Sequence, residues 1–141
     1  MVTYLDTSAM IKLYVDEAGR EAVIAAVSSS DRIVTSAVAY AEARAGLARR
    51  LREGGFSDQE HRGVVTDLDR EWGTYTRLPV HDAIARVAGR LAERHALRGF
   101  DAIHLASAMH LAERFEGLRF LAFDHRLVNA ARDAGVAVYA D

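Results

Sequence analysis

Two aspartates directly follow apolar runs of strand length. Asp6 follows the run 2–5 and Asp124 follows the run 120–123, and each precedes a segment that favours a helix. A strand that delivers an acid to its carboxyl end, where a helix begins, is a common way for open α/β folds to present a reactive group. The simpler interpretation of both residues is a helix N-cap, because Asp accepts hydrogen bonds from the first N–H groups of a helix.

Two further acids interrupt small-apolar helix faces. The neighbours of Glu42 at i−4, i+3 and i+4 are valine, alanine and glycine, where a solvent-facing glutamate would more naturally have charged neighbours. Asp101 stands at the N-terminal end of an apolar stripe at i+4, i+7 and i+11. The structural alternatives are a partly exposed Glu42 paired with Arg49, and an Asp101 that complements the helix dipole.

Four carboxylates that meet at one place would need a compensating positive charge. Two carboxylates about 5 Å apart repel by roughly 3 kcal/mol at an effective dielectric near 20. An all-oxygen site of this kind suits Mg²⁺ or Mn²⁺, which are hard cations that also bind phosphate. Zinc is disfavoured because the sequence has no cysteine, and His104 and His110 are six residues apart and point to different helix faces.

Strand and helix signals alternate along the chain. Apolar or β-branched runs predict strands at 2–6, 32–35, 75–78, 118–123 and 136–139. Helical patterns lie between them, at 8–14, 20–27, 37–52, 58–72, 82–95, 101–114 and 126–134. This alternation predicts one α/β domain over residues 1–141, with a parallel sheet of about five strands between two helix layers. The ends of parallel strands and the starts of the following helices share one sheet edge, where the four acids would lie.

The overall composition describes an ordinary globular protein. The chain of 141 residues carries 18 Lys and Arg against 20 Asp and Glu, so its net charge of −2 gives no general case for nucleic-acid binding. No apolar run approaches the roughly 20 residues of a membrane span, and the N-terminus lacks a signal-type segment. We therefore expect a cytoplasmic protein without a membrane partner.

The chain resembles PIN domains, and more closely the VapC toxins of bacterial type II toxin–antitoxin systems. The resemblance is carried by Asp6-Thr7-Ser8-Ala9, the helix around Glu42, Asp101-Ala102-Ile103-His104-Leu105-Ala106 and Phe123-Asp124-His125-Arg126-Leu127. It implies a three-layer, Rossmann-like PIN fold and a Mg²⁺-dependent endoribonuclease, with Mn²⁺ as an alternative ion. It also implies that the catalytic, metal-binding acids are Asp6, Glu42, Asp101 and Asp124.

Several other residues are candidates for contacts with substrate. Ser8 could contact a phosphate, Arg44, Arg49 and Arg98 could contact the RNA backbone, and His104 could orient Asp101 or a phosphate. Each also has a structural interpretation, as a solvated surface charge for the arginines and as a packed side chain for the histidine. The chain departs from the family's commoner pattern at Ser8, Ala122 and His125.

Two other functional classes would also use Asp6, but the chain lacks a residue that each of them requires. A metal-dependent phosphatase of the haloacid-dehalogenase type needs a second aspartate two residues on, where this chain has Ser8. A phosphoacceptor receiver domain needs paired acids near the first strand and a late lysine, but the only lysine is Lys12. A non-catalytic RNA-binding PIN module would be expected to have lost part of the acid quartet, which is intact here.

The resemblance also implies partners. We expect a cognate VapB-like antitoxin, an RNA substrate and a homodimer, with the helices around 37–72 as a surface for self-association and antitoxin docking. An arginine of the antitoxin could enter the acid cleft and supply positive charge there. Contact with DNA would be indirect, through the antitoxin.

Overall fold

A four-stranded parallel sheet forms the centre of the molecule. The computed structural model describes residues 1–139. Side by side, the strands are β3 (Thr76–Leu78), β2 (Arg32–Ser36), β1 (Val2–Leu5) and β4 (Arg119–Leu121), and all three pairings are parallel. The chain builds the sheet outward from β1 in one direction and then returns to its other side. The strand order therefore reverses between β1 and β4, which is where open α/β sheets bind ligands.

Seven helices within residues 1–139 connect and cover the strands. They are α1 (Thr7–Ile11), α2 (Arg20–Ser28), α3 (Val38–Arg52), α4 (Asp58–Trp72), α5 (Asp82–His95), α6 (Gly99–Ala112) and α7 (His125–Asp133). None of the helices in this part of the chain combines the length and apolar character needed to cross a membrane.

The sheet separates two apolar cores. Successive residues of a strand point to opposite faces, and in β1 the fully buried Tyr4 and Leu5 divide in this way. Tyr4 packs with Phe120 and with the buried faces of α5, α6 and α7. Leu5 packs with Met10, Leu47 and other residues of α1 to α4. The result is the three-layer α/β/α arrangement predicted from the alternation of helices and strands.

The last predicted strand, 136–139, is reduced to one bridge. Val138 pairs in parallel with Phe120, and the Phe120 N–H donates to the carbonyl of Ala137 at 2.8 Å. Its neighbour is β4, which covers only three residues of the predicted 118–123 and so provides few residues for pairing. The described sheet thus has four strands rather than about five.

The predicted helices are present, with shifts at their ends. Ser57 and Glu60 form the expected capping box, each side chain accepting a hydrogen bond from the backbone N–H of the other. The first helix stops at Ile11 rather than at residue 14. α6 begins two residues earlier than predicted, so Asp101 is its third residue. The predicted domain also includes residues 140 and 141, which lie outside the described part.

Candidate active site

Asp6 lies at the carboxyl end of β1 and caps α1. Its Oδ1 atom accepts hydrogen bonds from the Ala9 N–H at 2.9 Å and from the Ser8 hydroxyl at 2.7 Å. The residue is only 3% exposed. Burial raises the pKa of the Asp6 carboxyl above its ordinary value; nearby His104 and the two hydrogen bonds partly oppose this rise, and the charge of Asp101 adds to it. The cap predicted for Asp6 is therefore made, yet it uses only one carboxylate oxygen.

Glu42 lies in the second turn of α3 and is held through one oxygen. Its Oε1 atom accepts a hydrogen bond from the Thr7 hydroxyl at 2.6 Å and lies 2.8 Å from Nε2 of His104. Burial disfavours ionisation of Glu42, but the bonds from His104 and Thr7 outweigh it and hold the pKa of Glu42 below its ordinary value. The alternative pairing with Arg49 is not formed, because Arg49 lies 3.5 Å from Glu53 instead.

His104 connects the apolar core to Glu42. It is 1% exposed, and its Nδ1 atom lies 2.8 Å from the hydroxyl of Tyr4, which is completely buried. Of the two sequence-based interpretations, the packed side chain is confirmed by the burial of His104. Its polar partners are Tyr4, Thr7 and Glu42 rather than Asp101. The sequence offered one signal for this role, a histidine within an otherwise apolar helix. Tyr4 and Thr7 were not identified from the sequence at all.

Asp101 and Asp124 form the more exposed part of the site. The Asp101 side chain is 21% exposed, and its Oδ2 atom accepts a hydrogen bond from Nε of Arg98 at 3.2 Å. Asp124 is exposed and caps α7, because its Oδ1 atom accepts from the Leu127 N–H at 3.0 Å. Asp124 makes the predicted cap, and Asp101 lies in the first turn of its helix. Each uses one carboxylate oxygen for its hydrogen bond from residues 1–139, so the other oxygen could still bind a ligand.

Two adjoining clefts are lined by Glu42, Asp101 and Asp124, whereas the buried Asp6 lines neither of them. A cleft of about 510 Å³ is lined by Ser8, Glu42 and Arg49 among others. A second cleft of about 310 Å³ is lined by Asp101, Asp124, Arg126 and the segment 96–98, which includes Arg98. Arg98 lines both clefts, and its charge also lowers the pKa of Glu42 after the larger effects of burial, His104 and Thr7. The clefts therefore meet at this guanidinium.

Arg44 is the one candidate substrate residue that lies elsewhere. Its guanidinium donates to the Tyr40 hydroxyl at 2.7 Å and stacks near the Tyr40 ring. Tyr40 in turn donates to Asp69 of α4. Arg44 lines neither of the two clefts, so the structure assigns it to the surface where α3 meets α4.

The acids suit a hard divalent cation by their chemistry, although they do not form a closed cage. Asp6, Glu42 and Asp124 each accept their hydrogen bonds from residues 1–139 on a single oxygen, and Asp101 accepts only from Arg98. Within residues 1–139, no three Asp, Glu or His side chains lie close enough to hold one ion together. The donor set fits Mg²⁺ or Mn²⁺, and Arg98 lies at both clefts and pairs with Asp101.

Comparisons with known proteins agree with this architecture. A family model described as the PIN domain matches residues 3–133. Ribonuclease VapC45 of Mycobacterium tuberculosis is 34% identical over 137 residues, which cover 97% of this chain and 94% of the relative. FitAcB from Neisseria gonorrhoeae shares the fold, with a TM-score of 0.71, 22% identity and coverage of 99% of this chain and 97% of that chain. VapBC-5 of Mycobacterium tuberculosis, a member of the VapBC family of toxin–antitoxin systems, has a TM-score of 0.60 at 24% identity, covering 98% and 95%.

Proposed function

Because the chain belongs to the PIN domain family, we propose that it is a Mg²⁺-dependent endoribonuclease and the toxin of a toxin–antitoxin system. The observation that carries the proposal is that Glu42, Asp101 and Asp124 line two adjoining clefts. The buried Asp6, at the end of β1, is near enough to Asp101 for the two charges to interact. The name of the relative at 34% identity, a ribonuclease, gives the class of reaction. Hydrolysis of an RNA phosphodiester fits a site that combines carboxylates with arginine.

The four acids would hold the ion, which is Mg²⁺ or Mn²⁺. When bound, such an ion makes a water molecule easier to deprotonate and neutralises charge that develops on the phosphate. Burial opposes ionisation of Glu42, but the contacts with His104 and Thr7 hold the pKa of Glu42 below its ordinary value, so its carboxylate can bind a cation or accept a proton. Asp6 and Asp101 are the proposed direct ligands, with Glu42 and Asp124 completing the set.

The basic side chains would place the RNA. Arg98 projects where the two clefts meet, and its side chain is 82% exposed, so it can leave Asp101 and bind a phosphate. Arg49 lines the larger cleft and could follow the RNA backbone. Ser8 lines the same cleft beside Asp6 and could donate its hydroxyl proton to a phosphate in place of Asp6.

We further propose that the protein acts in the cytoplasm as a homodimer controlled by a VapB-like antitoxin. The α3–α4 surface is the proposed contact area, and it carries the Tyr40–Arg44–Asp69 cluster and the aromatic pair Tyr40–Trp72. A positive side chain of the antitoxin would compete for the same acids as a metal ion. Any contact with DNA would come through the antitoxin.

The test is RNA cleavage by the purified, folded protein with Mg²⁺ and with EDTA. We expect fragments with Mg²⁺ or Mn²⁺, none with EDTA, and none from Asp101→Asn. Asp133→Asn, an exposed aspartate at the end of α7, serves as the matched control and should cleave normally. Cleavage that survives EDTA, or an Asp101→Asn protein with the wild-type rate, would contradict the proposal.

A further inference from the structure

A chain of polar side chains runs through the core to Glu42. The Tyr4 hydroxyl lies 2.8 Å from Nδ1 of His104, and Nε2 of the same ring lies 2.8 Å from Oε1 of Glu42. Thr7 joins at the far end, 2.6 Å from Glu42 and 3.0 Å from His104. Tyr4 and His104 are at most 1% exposed, and buried polar groups of this kind are kept only where their hydrogen bonds are made.

The direction of each hydrogen bond follows from the number of available protons. An ionised Glu42 can only accept, so both of its partners must donate. The single hydroxyl proton of Thr7 goes to Oε1, which means that the Thr7 oxygen cannot also donate to His104. Nε2 of His104 therefore carries a proton, whether the ring is neutral or charged. In the neutral ring, Nδ1 is then an acceptor for the hydroxyl of Tyr4.

The contacts of Glu42 with Thr7 and His104 involve one carboxylate oxygen, Oε1, and neither involves the other, Oε2. Oε1 receives both donors, and no hydrogen bond from residues 1–139 reaches Oε2. Glu42 lines the larger cleft together with Ser8 and Arg98. A glutamate on a helix surface has three rotatable bonds, so fixing Oε1 removes most of the freedom that would otherwise scatter Oε2.

We propose that His104, supported by Tyr4, is a positioning residue that holds Glu42 by Oε1 and directs Oε2 to the divalent cation. This inference rests on the proposed metal-dependent function. Three elements are tied together by the contact, because Tyr4 belongs to β1, Glu42 to α3 and His104 to α6. α6 also carries Asp101, three residues before His104, so one helix contributes an acid and fixes another.

Substitution of His104 by glutamine or by asparagine tests its contacts with Glu42 and with Tyr4 separately. His104→Gln extends an N–H donor toward the place of Nε2 and can keep the bond to Glu42. His104→Asn reaches only the place of Nδ1, so it can contact Tyr4 but not Glu42. Both remove the ring, and thermal melts establish that each variant is folded. His110→Gln and His110→Asn, on the same helix and outside both acid clefts, are the controls.

The primary readout is Mn²⁺ binding to the RNA-free protein, measured by calorimetry. We expect His104→Asn to weaken binding by about 10–100-fold, the range seen when a group that orients a metal ligand is lost. His104→Gln should recover most of that affinity, and RNA cleavage should follow the same order. Equal losses in the two variants, or wild-type affinity in His104→Asn, would overturn the proposal.

A second readout needs neither metal nor RNA. Nitrogen-15 NMR of the wild-type ring should show a proton on Nε2 of His104, and Tyr4→Phe should disturb the signal of Nδ1. A ring protonated only on Nδ1 would overturn the inference. If the wild-type protein shows the Nε2 proton but binds no Mn²⁺ and cleaves no RNA, the positioning of Glu42 stands as a structural contact while its role in metal binding and the proposed function both fail.

Discussion

The four acids divide into two pairs that are held in different ways. Asp6 and Glu42 are fixed by hydrogen bonds from Ser8, Thr7 and His104, beside the buried end of β1. Asp101 accepts a hydrogen bond from the exposed Arg98, and Asp124 accepts one from the Leu127 N–H in the first turn of α7. The first pair lies against the buried end of the sheet, whereas the second includes the exposed Asp124.

The two pairs do not surround one position: within residues 1–139, no three Asp, Glu or His side chains lie close enough to hold one ion. Within the inner pair, Asp6 accepts its hydrogen bonds from Ser8 and Ala9, two and three positions along the chain. Glu42 contacts Thr7 and His104, which are 35 and 62 positions away, so its geometry depends on the whole fold. The outer pair needs only residues within three positions along the chain, such as Arg98 for Asp101 and Leu127 for Asp124. We therefore expect a cation to bind first to the inner pair and to draw in the outer one as Arg98 leaves.

The largest effect should come from Asp6. Asp6→Asn keeps an oxygen that can cap α1, but it removes a negative charge from the centre of the site. We expect Mg²⁺-dependent RNA cleavage to fall by more than about 100-fold, beyond the range for residues that only orient a metal ligand. Single-turnover cleavage checks this. A loss of less than tenfold in a folded protein would place Asp6 outside the reaction.

Thr7 tests whether the inner pair is fixed by hydrogen bonds rather than by packing. Thr7→Val keeps the shape of the side chain and removes the proton donated to Glu42, so Mn²⁺ affinity should fall by about tenfold. Thr7→Ser keeps the hydroxyl and is the matched control, with affinity close to wild type. Calorimetry compares the two. Equal affinities would mean that the bond from Thr7 to Glu42 does not organise the site.

Substitution of Arg98 should increase the affinity for Mn²⁺, whereas the substitutions at Asp6 and Thr7 reduce function. Arg98→Gln removes the charge that competes for Asp101, so Mn²⁺ should bind about 2–5-fold more tightly, in keeping with the small energy of an exposed ion pair. The same variant should raise the KM for RNA if Arg98 also binds phosphate. Arg90→Gln, an exposed arginine on α5, is the control. Weaker Mn²⁺ binding in Arg98→Gln would show that the arginine does not compete with the cation.

The smallest effects concern the stability of the metal-free protein. The folded pKa of Asp6 is raised by burial, so its charge destabilises the folded state progressively as pH rises through that pKa. The folded pKa of Glu42 is lowered despite burial, because His104 and Thr7 donate to it, so its charge stabilises the fold above the unfolded pKa and this is lost on acidification. In EDTA at pH 7, Asp6→Asn should raise Tm and Glu42→Gln should lower it, each by about 2–5 °C.

Repeating the melts at acid pH distinguishes charge from packing. The advantage of Asp6→Asn should shrink on acidification and vanish below about pH 3, where the wild-type aspartate is protonated in both the folded and the unfolded state. A Tm difference that does not change with pH would show that the substitution acts through packing or through the helix cap.

The sequence predicted the acids better than their partners. Asp6 and Asp124 could be identified because each directly follows an apolar run, and parallel strands bring such residues to one edge. The link from Tyr4 to His104 joins residues 100 positions apart, and no local pattern encodes it. The identification of Asp101 likewise did not reveal that Arg98, three residues earlier, would pair with it.

The ends of strands and the partners of individual side chains could not be predicted from the sequence either. The run 136–139 has the composition of a strand, but pairing depends on the length of β4, which the structure limits to three residues. Arg44 and Arg98 look alike in the sequence, and only the fold directs one to Tyr40 and the other to the acids. The places of Asp6 and Asp124 at strand ends were thus predictable from the sequence, while the groups that contact the acids depend on tertiary structure; that the four acids form one site stays a prediction.

The most direct test of one shared site is a Mn²⁺ titration of the RNA-free protein and four neutralised variants. Asp6→Asn, Glu42→Gln, Asp101→Asn and Asp124→Asn should all weaken the same binding event, with the largest losses at the proposed direct ligands Asp6 and Asp101. Asp133→Asn should bind as the wild type does. Wild-type affinity in both Asp101→Asn and Asp124→Asn would contradict the account, because the outer acids would then belong to their helices alone.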